Sequence, residues 1–155
     1  MKKQILSITF VMVMLAVSMV VATPTYYVGH STNSVAQVNN ENIIATKAKV
    51  AFNTQSKTHG SIEIIGTTSN NDRVTLSANI VQTSSEVYCY EGKLYFHGVY
   101  TGTATYWKKG AAPKTLKLRT VLIDYDLSGK QEGIVQGYSN EQINFEVDNI
   151  PIVSK

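Results

Sequence analysis

The sequence predicts an all-β protein, an antiparallel β-sandwich of about seven or eight strands, with a closed up-and-down β-barrel as the alternative. Three observations predict it. From Ile43 onward apolar and polar residues alternate, and a strand sends successive side chains to opposite faces. Clusters of Gly, Asn, Asp, Ser and Pro interrupt the alternation where tight reversals need them. No stretch beyond residue 42 carries a helical period. Links this short make consecutive strands antiparallel neighbours, since parallel strands need crossovers of about a dozen residues.

The leading residues stand apart. Lys2 and Lys3 precede an uncharged run, Ile5 to Ala22, that ends in Val20-Val21-Ala22. A positive start, an apolar run and a small-residue site form the layout of a secretory signal peptide, assigned to residues 1–22. The alternative is an uncleaved anchor, and only then would the chain touch a membrane; the run is at the lower limit for crossing a hydrocarbon core about 30 Å thick. Residues 23–42 are rich in Ser, Thr, Asn and Gln without a period. They read as a flexible polar leader that buries too little apolar surface to offset its ordering. An edge strand at Tyr26-Tyr27-Val28 is the alternative. Residues 43–155 read as a single all-β domain.

Within that domain each run has its own pattern. In "IIATKAKVAF" Ile44, Ala48, Val50 and Phe52 fall on one face, Lys47 and Lys49 on the other. Ile62 and Ile64 flank Glu63. Val74, Leu76, Ala78 and Ile80 point inward and Thr75, Ser77 and Asn79 outward. "TSSE" (Thr83 to Glu86) reads as a turn and "EVYCY" as a short fourth strand. The fifth run, Leu94 to Trp107, splits by parity. Its even positions, including Phe96, Gly98, Tyr100 and Tyr106, are the more apolar and belong to the core. Its odd positions, including Tyr95, His97 and Trp107, face out. At about 3.3 Å per residue this strand is long, so a bend or bulge at Gly98 or Gly102 is expected. In the sixth run the alternation slips, with Leu116 and Leu118 on one parity and Val121 and Ile123 on the other. A β-bulge near Thr120 would return both pairs to the core, and a strand buried on both faces would explain the slip equally well. Gly133 to Ser139 and Gln142 to Val153 complete the set.

Charge and cysteine content narrow the function. The formal charge is +3 from 14 basic and 11 acidic residues, and removing residues 1–22 takes away Lys2 and Lys3 and no acid. The remaining chain is near neutral and has no global field to recruit nucleic acid or an anionic membrane. The one cysteine, Cys89, cannot form an internal bridge. It reads as a buried small hydrophobe, with pairing to another chain as the alternative.

Catalytic signatures are missing: no Gly-x-Ser-x-Gly elbow, no His-Glu-x-x-His helix and no glycine-rich phosphate loop. No metal or cofactor is expected. Asp124, Asp126, Ser128 and Gly129 match the opening positions of a calcium loop, but Val135 stands where the bidentate Glu belongs. A hairpin in which Gly129 takes positive φ is the simpler reading. Two surface features remain. The outward face of the aromatic strand offers Tyr95, His97 and Trp107 as a stacking platform for sugar rings. The basic stretch with Lys108, Lys109 and Lys114 could touch an anionic polymer. The expected function is an exported, noncatalytic β-domain that binds or builds at the cell surface or outside the cell, with a cell-surface polysaccharide or another envelope protein as partner. A carrier of small ligands inside a barrel and a secreted hydrolase are the alternatives.

Overall fold

From the second strand to the ninth the chain turns back at each hairpin and each strand pairs with the next, in a meander that finally meets its own beginning. The computed structural model describes residues 26–55, 57–128 and 132–155. The signal peptide assigned to residues 1–22 therefore lies outside the described residues. Ten strands follow in order: β1 (Tyr26–Ser31), β2 (Ser34–Val38), β3 (Glu41–Asn53), β4 (His59–Thr68), β5 (Arg73–Tyr90), β6 (Lys93–Lys108), β7 (Lys114–Asp126), β8 (Gly133–Ser139), β9 (Phe145–Asp148) and β10 (Ile152–Ser154). All pairings are antiparallel. β3 pairs with β2 on one edge and β4 on the other, which closes an eight-strand ring through β5, β6, β7, β8 and β9. β1 continues β2 along the same edge of β3, and β10 continues β9 along β1.

Of the two architectures open to the sequence, the protein takes the closed barrel and not the preferred sandwich. Alternation and short links are common to both; closure depends on coiling, which bulges supply. β3 shifts register at Thr46, β5 at Thr83 and β7 between Leu118 and Val121. At the first two the bulged threonine hydroxyl donates to a facing carbonyl, Thr46 to Ile65 at 3.2 Å and Thr83 to Val99 at 3.0 Å. The third restores Leu116, Leu118, Val121 and Ile123 to the core together, the slip expected near Thr120. β6 itself runs without the bulge expected at Gly98 or Gly102; its neighbours carry the extra residues.

Three sequence expectations are corrected. The polar segment 23–42 is strand from Tyr26, because Tyr27, Ser34, Ala36 and Val38 point into the barrel while Asn33, Gln37, Asn39 and Asn40 face water. Ile44 is 70% exposed and Ile43 is buried in its place, since the Thr46 bulge reverses parity along β3. "TSSE" is no reversal: β5 passes straight through it, so the third and fourth expected strands are one of 18 residues.

An eight-strand barrel leaves an interior that side chains can fill. Here one end is filled by rings. Phe52 stacks on Tyr27, Phe96 and Tyr125, with centroids 5.5, 4.9 and 5.4 Å away. The Tyr125 hydroxyl donates to the Ile150 carbonyl at 2.9 Å. Nearby, the Gln82 side-chain amide donates to the Tyr100 hydroxyl at 3.1 Å and to the Asn53 carbonyl at 3.0 Å. Burial holds the phenols of Tyr100 and Tyr125 well above the ordinary tyrosine range. At this same end β5 and β6 project beyond β4, and a tight turn with positive φ at Glu91 and Gly92 joins them.

Candidate functional site

The turn at Glu91–Gly92 fixes what faces what on the projecting hairpin. Two-residue turns with both central residues at positive φ suit the strand twist, and Gly92 adopts its conformation without a side-chain penalty. The register that results sets Tyr88 opposite Tyr95, and Tyr95 opposite Asp126 of β7. The next outward row reads Glu86, His97, Asp124, Ile134 and Asp148 across β5 to β9. Two adjacent rows therefore place rings and carboxylates together on the outer wall.

The tyrosines form a cross-strand stack, with centroids 5.5 Å apart and planes 21° from parallel. Beside them His97 Nδ1 lies 2.5 Å from Asp124 Oδ1, which fixes the imidazole plane. Asp126 accepts from the backbone N–H of Ser128 at 2.8 Å, and the Ser128 hydroxyl accepts from the N–H of Leu94 at 2.6 Å. A cleft of about 350 Å³ opens between these groups, bounded by Tyr88, Tyr95, Asp124, Asp126, Glu132 and Asp148. Gly133, which also lines it, is packed so closely that a Cβ there would lie 2.1 Å from the Asp124 carbonyl oxygen and 2.5 Å from the Tyr125 ring. No lysine or arginine among the described residues lines it. Burial first, and then the charge of Glu146, raise the Asp148 carboxyl above the usual carboxylate range.

The outward rings and carboxylates suit a polar ligand with an apolar face. No family model, curated protein or solved structure matches this chain.

The sequence-predicted residues divide. Tyr95 lines the cleft, and His97 stands beside it through its bond to Asp124. Trp107 is outward-facing but ten residues beyond His97, about 33 Å along the strand, so the three do not form one platform. Lys108 pairs with Glu41 at 2.6 and 2.9 Å, which raises its ammonium pKa, chiefly through that hydrogen bond. Lys109 and Lys114 are exposed around the β6–β7 turn, at the opposite end of the barrel from the cleft. Cys89 is exposed rather than buried, because β5 at this point lies beyond the barrel wall. The calcium-like run is spent otherwise: Asp124 holds His97 and Asp126 caps its own turn, while Gly129 lies outside the described residues. Among the described residues no group of three or more His, Cys, Asp or Glu side chains is placed to hold a metal ion. Sequence reasoning missed Tyr88 and Asp148. The two-residue "EG" turn would have given Tyr88 its place opposite Tyr95; nothing local links Asp148 to Asp124, since β8 intervenes.

Proposed function

We propose that the protein is an exported, noncatalytic binding domain that takes a neutral or amine-bearing glycan in the tyrosine–carboxylate cleft, at the cell surface or outside the cell. The observation that carries this reading is the Tyr88–Tyr95 stack beside Asp124, Asp126 and Asp148. A tyrosine face packs on the apolar face of a pyranose, and carboxylate oxygens accept from its hydroxyl groups. Four carboxylates, with no lysine or arginine among the described lining residues, disfavour anionic polymers at this site. Export rests on the leader of residues 1–22. The interior ring cluster argues against the carrier alternative, because the space a ligand would need at that end is occupied by Phe52 and its partners. The hydrolase alternative gains nothing from His97, to which no hydroxyl or thiol among the described residues is hydrogen-bonded.

Calorimetric titration with neutral, amino-sugar and polyuronate oligosaccharides tests the reading. Neutral or amino sugars should bind, Tyr88→Ala and Tyr95→Ala should each weaken binding by about tenfold or more, and Trp107→Ala should not. Binding that depends on Trp107, or on Lys109 and Lys114, would overturn it, as would a panel without any neutral or amino-sugar binder. The intact mass of exported protein should correspond to a start at or near Thr23; full-length mass in a membrane fraction would refute export by cleavage.

A further inference from the structure

β5 leaves an unguarded edge. Its last residue paired with β4 is Val81, opposite His59, yet the strand runs on to Tyr90. The β3–β4 loop covers the first part of the overhang: Gln82 N–H donates to the Thr58 carbonyl and the Ser85 hydroxyl to the Thr54 carbonyl. From Glu86 to Tyr90, β5 pairs with β6 on one side and with no described strand on the other. All five residues are exposed, Tyr88 at 46% and Tyr90 at 60%.

Natural sheets protect such edges with lysine, proline, bulges or brevity. β10, another free edge among the described strands, follows that practice: it has three residues, follows Pro151 and ends beside Lys155. "EVYCY" has no Pro, Lys or Gly and a single charge, and its Val and two Tyr favour strands.

We infer that Glu86–Tyr90 is a self-association edge that pairs antiparallel with the same segment of a second copy of this chain, with Tyr88 on the two-fold axis. A parallel in-register pairing would bring Glu86 beside its own copy. The antiparallel one sets each Glu86 opposite Tyr90 of the other chain, each Val87 opposite Cys89, and Tyr88 opposite Tyr88, so no like charges meet. An axis at Val87 would draw Ser85 under the loop that already covers it, and an axis at Cys89 would set Val87 against the turn residue Glu91. The same segment from both chains meets itself, as a closed two-fold interface requires.

Sedimentation of the reduced exported chain over a concentration series should give a dimer, and Val87→Lys should weaken it by at least about tenfold while the circular dichroism stays that of the barrel. Cross-linking reads the register independently. In the proposed pairing Cys89 and its copy are diagonal neighbours, roughly 7–8 Å apart and too far for a disulfide, whereas position 87 lies directly opposite Cys89. Mild oxidation should therefore link Val87→Cys chains rapidly and the natural chain slowly. A monomer at all concentrations, or a dimer indifferent to Val87→Lys, would overturn the inference. Rapid linking of the natural chain through Cys89 would overturn the register, and so the axis at Tyr88.

Discussion

Replacing Phe96 with Ala removes the ring at the junction of wall and plug, and its neighbour Tyr95 provides the control. Phe96 is 1% exposed and stacks on Phe52 with centroids 4.9 Å apart and planes 15° from parallel. Gly98 leaves the space beneath it, since a Cβ there would lie 2.7 Å from the Phe96 ring tip. A buried Phe truncated to Ala costs about 3–5 kcal/mol, from lost transfer energy and from the cavity left behind. The upper part of that range is expected, because Phe52 is braced on its other sides by Tyr27 and Tyr125 and cannot collapse into the gap. Tyr95 is only partly buried and faces outward, so Tyr95→Ala forfeits the Tyr88 stack and about 0.5–1.5 kcal/mol. Urea melts of both variants, with slopes compared to confirm a common unfolding transition, supply the two differences. A Phe96→Ala cost below about 1.5 kcal/mol, or equal costs for the two, would refute the assignment of even positions of β6 to the barrel interior.

Other outcomes follow from the same geometry. Ile43→Ala should cost about 2–5 kcal/mol and Ile44→Ala stay within about 0.5 kcal/mol of neutral, by thermal or urea melts; the reverse order would remove the Thr46 bulge. Asp148 holds its proton more tightly folded than unfolded, so its ionisation costs stability as pH rises from the ordinary 3.8 through the raised folded value. Asp148→Asn should therefore raise Tm at neutral pH and lose that gain below pH 3.8, and a lowered Tm at neutral pH would contradict the shift. Tyr100 and Tyr125 likewise keep their protons in the fold, so stability falls as pH climbs past the ordinary 10.0. Base titration should show part of the phenolate absorbance appearing together with loss of the barrel's circular dichroism, and smooth ionisation of every tyrosine before unfolding would count against burial.

How far the sequence could be read depended on whether a signal was local. Period-two alternation is local, and it placed Val74, Leu76, Ala78 and Ile80, Ile62 and Ile64, and the even residues of β6 on the inside. The slip between Leu118 and Val121 was legible because both flanking pairs are strongly apolar. The Thr46 bulge was not, since Ile43 and Ile44 are equally apolar neighbours and either parity satisfies the pattern. "TSSE" was ambiguous for the same kind of reason: Ser and Thr serve turns and bulges alike, and the choice between them lies in the pairing with β6. Residues 26–38 misled by composition, because a barrel strand needs only every second side chain to be buried, and Ser34, Ala36 and Val38 are small enough to do so without looking hydrophobic as a run.

The site was half legible on similar grounds. Tyr95 and His97 could be placed outward by parity within one strand, but their true neighbours come from β5, β7, β8 and β9, and only closure and register bring those together. Trp107 shares their parity, but parity says nothing about distance along a strand. The bulges that coil the barrel also decide where its wall ends. β4 stops opposite Val81, just before the Thr83 bulge, while β5 and β6 run on together for a further stretch. That overhang carries Tyr88 into the stack with Tyr95 on its outer face and leaves Glu86 to Tyr90 unpaired along its edge. Deleting Thr83 would remove the bulge and put the two halves of β5 on opposite parity, and would disturb the cleft and the free edge together.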